Sequence, residues 1–401
     1  MTERTKRVIS VFLCALIACA ALACPVYAEE SEDGEASARV ALMNVGGLDL
    51  YLDDVQNIAY QMYYYGYTQQ LDYQNAARYC LYYDIAPRLL AGDRAQELLG
   101  TSYDTLRETF EKQYDDYIEQ YALSLAGTDA DEAALNEARA QAQAEYDEAG
   151  ISREYFLYGS LASSAFDVLV STSISVPTDE EILALYEQYV EEDRKVFEND
   201  VQFYEYYKSY GYESLYTPEG YRAVLHILLP ADDELLSAYN DAADDEQRES
   251  ARLAVIESIR DTLDEIYAAY EAGTSFIDLI AQYNVDPGMQ DETNLRDGYE
   301  VHKDSVTWVD EFTKGAFSEG MNEPGDVSEP VVTSYGVHIL YYLRDIASGA
   351  AELTEQLRQD LISDLTSKAR TEFIEGELSK YEIVYYDAYA EYLGDTHVIG
   401  D

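Results

Sequence analysis

From Tyr221 to Leu229 the sequence runs Tyr-Arg-Ala-Val-Leu-His-Ile-Leu-Leu and is closed by Pro230. No other stretch constrains the fold as strongly. The run is short, β-rich and apolar at almost every position. A strand with water on one face alternates polar and apolar residues; this one does not, so it is expected to be covered on both faces. Buried strands need strand partners and helices to cover them. The sequence before and after the run must supply both.

After the run, Leu253, Ile256, Ile259, Leu263, Ile266 and Tyr270 recur at helical spacing and Gly273 ends the pattern. Ser275 opens a second, short helix whose Phe276, Leu279 and Ile280 point inward. A third helix is expected from Trp308 to Phe317, capped by Thr307 with Asp310 three places on. Val327–Val332 and Val337–Leu343 read as two strands joined by a turn at Ser334-Tyr335-Gly336. The order is β-α-α-α-β-β over 222–347, an α+β unit.

The flanks read differently. Val40–Val45 suggests a short strand, and from Leu50 to about Val176 the periodicity is mostly helical. The Ala- and Glu-rich stretch 128–148 reads as an exposed helix. Pro177-Thr178-Asp179-Glu180-Glu181 opens another helix with a capping box. Past Gly349, Leu357, Leu361, Leu365, Ala369 and Phe373 recur every fourth residue, and residues 381–386 alternate as a short strand. That last amphipathic helix needs a partner, and the central unit is already complete. The simplest partner is the N-terminal helical part. The expected architecture is therefore a helical body split in sequence, 39–221 and 348–401, with the α/β unit inserted between.

The first residues speak to location. Arg4, Lys6 and Arg7 precede an apolar run from Val8 to Cys24, and Val26 and Ala28 are spaced for signal-peptidase cleavage. Residues 1–28 are read as a signal peptide and the acidic stretch 29–38 as a linker. Ala21-Leu22-Ala23-Cys24 offers a second reading, cleavage before a lipidated Cys24 and hence membrane attachment, although its leucine stands one place too close to the cysteine. Cleavage after Ala28 leaves Cys80 as the lone cysteine, so no internal disulfide can form. Cys80 is expected to be a small buried apolar residue. The net charge of −53 disfavours nucleic-acid partners, because such a chain repels phosphate backbones. The 40 tyrosines suit half-exposed helix faces, where a ring is buried and a hydroxyl stays wet.

Only four histidines are present, and two of them, His226 and His338, lie in strands expected to be buried. A lone histidine in such a strand is ordinarily a hydrogen-bonded core group. A zinc site from His226, His338 and Asp286 is a competing chemistry; the residue types suit it, but no close-spaced ligand pair supports it. His302 and His397 are expected at the surface.

Five separated blocks resemble the parvulin family of peptidyl-prolyl cis/trans isomerases. Arg222–Leu229 is similar to the family's first strand. Phe276–Gly288 resembles its second helix and following turn, and Trp308–Phe312 with Ala316-Phe317 its third helix. Gly325–Val331 and Tyr335–Ile339 resemble its closing hairpin. The resemblance spans about a third of the chain. The flanking helices are more loosely similar to the bodies of exported foldases of the PrsA and SurA kind.

The resemblance implies an FKBP-like fold for 222–347 and roles for seven residues. His226 and His338 correspond to the paired histidines at the floor of the family's cleft, and Asp286 to a position held by cysteine or aspartate. Trp308 and Phe312 match the residues that hold the prolyl ring. Thr333 and Tyr335 fall at its polar rim. No cofactor and no metal are implied, and the partners would be unfolded or partly folded exported polypeptides. Two departures stand out. Asn294-Leu295-Arg296-Asp297-Gly298 replaces the family's glycine-rich turn, and Trp308 replaces its pocket methionine. Acidic Asp232, Asp233 and Glu234 follow the first strand where phosphate-specific members carry basic residues, so phosphate specificity is not expected. The leading expectation is an exported isomerase and chaperone. The alternatives are a binding protein with weak or lost catalysis and, less well supported, an adhesin built on the Tyr-rich helices.

Overall fold

The computed structural model describes residues 39–127 and 130–399. The stretches read as signal peptide and linker, and Cys24, lie outside them. Among the described residues no helix is long and apolar enough to cross a membrane. The chain divides into two compact units, one of them, Met1–Thr178 with Gln359–Asp401, discontinuous in sequence, the other continuous, Asp179–Arg358.

In the discontinuous unit β1 (Ala41–Val45) pairs antiparallel with β2 (Leu48–Tyr51) and, on its other side, with β9 (Ile383–Tyr385). β2 was not expected from the sequence, which reads helical from Leu50. Helices α1 (Leu52–Tyr64), α2 (Tyr73–Cys80), α3 (Ala86–Ala91), α4 (Ala95–Leu99), α5 (Tyr103–Ala126), α6 (Glu132–Glu148) and α7 (Arg153–Ser173) follow β2. Their core holds Leu42, Val55, Leu81, Ile85, Phe166 and Cys80, joined by Ile374 and Leu378 near the end of the late helix Glu355–Leu378. Phe373 packs at its edge, while Leu365 and Ala369 stay half-buried. α6 is less exposed than expected. Its Ala138 and Ala142 pack on Ala122 of α5, and its Tyr146 clusters with Tyr114.

The continuous unit begins with α8 (Asp179–Phe197) and α9 (Val201–Ser209), well before residue 222. The reason is packing: Phe197 and Tyr204 of these helices cluster with Tyr216 and Tyr221 at the entry to the central strand. β3 (Tyr216–Thr217) pairs with β8 (Gly349–Ala350). The main sheet is antiparallel, ordered β5-β4-β7-β6, from β4 (Arg222–Leu229), β5 (Tyr299–Val301), β6 (Val331–Thr333) and β7 (Gly336–Asp345). Between β4 and β5 lie α10 (Asp233–Asn240), α11 (Asp245–Ser258), α12 (Arg260–Glu271), α13 (Phe276–Tyr283) and α14 (Glu292–Asp297); α15 (Asp310–Ala316) follows β5.

Alternation along β4 explains why its run is apolar throughout. Leu225, Ile227 and Leu229, with Val337 and Ile339 of β7, join the cluster of Val255, Leu263, Phe276 and Leu279 from α11, α12 and α13. Val224 and Leu340 join Phe312 and Ala316 of α15 on the opposite face. His226 and His338 fall in the same alternation as Val224 and Leu340, so both rings meet Phe312. Arg222, next on that face, lies between the rings of Phe317 and Tyr342, 4.0 and 4.1 Å away, and donates to the carbonyls of Ala316 and Met321. It fastens the end of α15 to the sheet.

Candidate functional site

β5 covers β4 only from Arg222 to Val224. Farther along, that edge of β4 is taken by the loop after α13. Val285 donates its N–H to the Leu228 carbonyl at 3.0 Å, and Leu228 donates to Asn284 Oδ1 at 2.9 Å. Asn284 Oδ1 also accepts from the Asp286 amide, and its Nδ2 donates to the Asp286 carbonyl. The loop is thereby fixed, and Asp286 is set beside His226.

His226 is 4% exposed and its Nε2 lies 2.8 Å from Asp286 Oδ2. Its Nδ1 lies 3.4 Å from Nδ1 of His338, and His338 Nε2 lies 2.9 Å from the Thr333 hydroxyl. That hydroxyl oxygen accepts from the Tyr335 amide. One proton assignment satisfies the whole chain: Thr333 donates to His338, His338 Nδ1–H to His226, and His226 Nε2–H to an ionised Asp286. Burial, reinforced by His226, pushes His338 down to about 3. Burial also lowers His226, partly offset by Asp286. Burial pushes Asp286 up, but hydrogen bonds from His226, the Gly288 amide and the Tyr299 hydroxyl outweigh it and hold the carboxyl below its ordinary value. Both imidazoles are therefore neutral and the carboxylate charged near pH 7.

An aromatic wall stands over this floor. Tyr299 stacks on Trp308 with ring centroids 4.6 Å apart, and Trp308 lies 5.4 Å from Phe312. Phe312 meets His226 and His338 edge to face at 5.3 and 5.4 Å. The Trp308 indole N–H donates to the Glu300 carbonyl at 2.8 Å. Trp308 is in the loop before α15 and not in the helix as expected. The helix begins at Asp310 behind Val309, whose apolar side chain cannot cap it, and the Thr307 hydroxyl bonds Glu205.

The structure brings together His226, Asp286, His338, Thr333, Trp308 and Phe312. The Tyr335 side chain stands apart, 68% exposed, and only its amide joins the network. Three contributors were missed. Asn284 places the loop. Tyr299 donates its hydroxyl to Asp286 and its ring to Trp308, from a three-residue strand too brief for sequence periodicity to reveal. Gly288 makes room for it, since a side chain there would collide with the Tyr299 hydroxyl. His302, expected at the surface, is 6% exposed and packs on Tyr221; His397 is exposed, stacked on Tyr385. In place of the family's glycine-rich turn is α14, capped by Asp291 and closed by Gly298. The ring nitrogens are spent on one another, on Thr333 and on Asp286. Among the described residues no group of three or more His, Cys, Asp or Glu side chains is arranged to hold a metal ion.

Fold and site together define a mixed helix-and-sheet protein with a buried histidine–aspartate relay under an aromatic wall. Among curated proteins it is similar to the Foldase protein PrsA of Halalkalibacterium halodurans, 31% identical over 164 residues, covering 41% of this chain and 46% of that one. The chain thus spans about half the length of the curated relative it matches. No protein-family model matches. Similar solved structures include PrsA from Bacillus subtilis, with 17% identity, 70% of this chain and 87% of that one covered, and a TM-score of 0.22. A SurA-like chaperone structure from Campylobacter jejuni has 15% identity, 86% and 96% coverage, and a TM-score of 0.29.

Proposed function

We propose that this chain is an exported foldase that accelerates cis/trans isomerisation of X–Pro bonds in unfolded polypeptides and holds those chains meanwhile. The observation that carries the reading is the relay from Thr333 through His338 and His226 to Asp286 beneath Trp308 and Phe312. Amide resonance sets a rotation barrier of about 20 kcal/mol, and no bond to the substrate need be made or broken to lower it. The aromatic wall takes the prolyl ring. Asp286, kept ionised, disfavours the resonance form that places negative charge on the substrate carbonyl oxygen, and so weakens the double-bond character of the amide. Neutral imidazoles fix the carboxylate without cancelling its charge.

The division of the chain into a discontinuous and a continuous unit supports the second half of the reading, a holding body into which an isomerase domain is inserted. The expected signal peptide supports export. Exposed Asp232, Asp233 and Glu234 at the start of α10 support substrates without phosphate. One observation favours a weaker catalyst that chiefly holds its clients. Trp308, stacked on Tyr299 and bonded to Glu300, fills space a smaller side chain would leave open.

A protease-free refolding assay on a substrate limited by proline isomerisation separates the two. Wild type is expected to accelerate the slow phase, and Asp286→Ala to lose about 10²-fold of that acceleration while remaining folded. Suppressed aggregation with no acceleration on several substrates would leave only the holding activity.

A further inference from the structure

α9 precedes the stretch that resembles the isomerase family, yet it reaches the aromatic wall. Its Glu205 is a buried carboxylate, 8% exposed, that the histidine–aspartate relay does not use. Oε1 accepts from the Tyr221 hydroxyl at 3.1 Å and the Ser305 hydroxyl at 2.6 Å. Oε2 accepts from the amides of Val306 and Thr307, at 2.8 and 3.0 Å, and from the Thr307 hydroxyl at 2.9 Å. Five donors on two oxygens use up the carboxylate's accepting capacity. Burial pushes Glu205 up, but these hydrogen bonds outweigh it and keep the group below the ordinary glutamate value.

The loop that Glu205 grips has little apolar hold of its own. Lys303, Asp304, Val306 and Thr307 are all exposed. Trp308 comes directly after them. Three residues beyond Glu205 on α9, Lys208 donates to Glu300 Oε2 at 2.7 Å, and the Glu300 carbonyl accepts the Trp308 indole N–H. α9 therefore holds both the chain entering Trp308 and the strand residue its indole leans on.

We infer that Glu205 is a positioning residue: its carboxylate fixes the Ser305–Thr307 loop so that Trp308 stands as the wall of the substrate cleft. The inference rests on the reading of that cleft as a prolyl-binding pocket. It places a determinant of the pocket in a helix outside the family-like stretch. A carboxylate serving stability alone would leave Trp308 where it is.

Trp308 is the sole tryptophan of the chain, so fluorescence excited at the red edge of the absorption band, where the 40 tyrosines do not absorb, reports on the wall alone. In Glu205→Ala the donors lose their acceptor. Its emission is expected to shift to the red, acrylamide quenching to rise about threefold, and KM for a proline-containing peptide to rise about fivefold with kcat nearly unchanged, the pattern of lost binding. Glu205→Gln should restore most of this. Its amide oxygen can serve the two backbone amides, while its nitrogen faces the Tyr221 and Ser305 hydroxyls, which can turn to accept. A folded Glu205→Ala with wild-type emission and quenching overturns the inference. If that variant does not fold, Ser305→Ala with Thr307→Val removes two donors and leaves the backbone amides paired. A smaller shift in the same direction then upholds it, and none overturns it. The fluorescence measurements stand whether or not wild type is an isomerase, so the two readings fail separately.

Discussion

The histidine–aspartate floor and the aromatic wall above it each lean on an ionised, hydrogen-bonded carboxylate, and they differ in what surrounds it. Asp286 meets His226, whose ring passes the contact on to His338 and Thr333. Glu205 meets two amides and three hydroxyls, whose protons stay where they are at neutral pH. The floor hangs on β4 and β7, paired from Arg222–Asp345 to Leu229–Val337. The wall hangs on a loop. One residue type thus serves two ends. Beside neutral imidazoles Asp286 is open to the role in catalysis proposed for it; among fixed donors Glu205 is suited to hold a shape.

The largest expected effect breaks the floor and spares the wall. Gly336 begins β7 at φ +140°, and a side chain there would be driven into the Leu229 carbonyl. Gly336→Ala therefore strains the hairpin that carries Thr333 and His338. Unfolding in urea should show a loss of about 3–4 kcal/mol. In the folded baseline Trp308 emission should stay as in wild type, because Glu205 holds the wall independently. A changed folded-state emission would mean that floor and wall form one mechanical unit.

That independence also explains what the sequence could reveal. β4 was legible because a doubly covered strand is apolar at every position, and two histidines within such strands point at each other once the strands pair. Asp286 is legible only through family resemblance; its local sequence carries no sign of the contact with His226, 60 residues away. Tyr299 was hidden by a three-residue strand. Glu205 was one of 79 acidic residues, and nothing at its position distinguishes a buried carboxylate with partners 100 residues on from a solvated one. The start of the continuous unit is illegible in the sequence for the same reason. α8 and α9 join it through Phe197 and Tyr204, contacts that helical periodicity cannot assign to a partner.

A smaller effect tests the neutral imidazoles. Histidines in the unfolded chain titrate near 6.5, whereas burial holds His338 at about 3 and lowers His226. Above pH 6.5 folded and unfolded forms bind the same protons at these sites, and nothing is lost. As pH falls below that, the unfolded chain gains protons the native fold refuses, and stability drops until the folded value is reached. Asp286 works in a lower window. With its folded value depressed, its contribution is complete above the unfolded carboxyl value of about 3.9 and is lost only below it. Buried His302 adds a decline of the same sign, so wild type alone does not isolate the floor. The comparison is with His338→Gln, whose amide can accept from Thr333 and donate to His226. Between pH 7 and pH 4.5 its urea stability should fall by about 2 kcal/mol less than that of wild type. Parallel declines would mean that His338 is not held neutral.

The smallest effect falls on a side chain that touches both regions. Tyr299 gives its hydroxyl to Asp286 at 3.1 Å and its ring to Trp308. Tyr299→Phe removes the first contact and keeps the second. Asp286 retains His226 and the amides of Gly288 and Met289, so the stability cost should be about 0.5–1 kcal/mol. Acceleration of proline-limited refolding should fall about threefold, since one charge-assisted hydrogen bond of several is gone. Trp308 emission and quenching should not change. Tyr299→Leu removes both contacts and should add the red shift that the phenylalanine variant lacks. If the two variants move Trp308 equally, the hydroxyl and not the ring sets the wall, and Asp286 rather than Glu205 governs its placement.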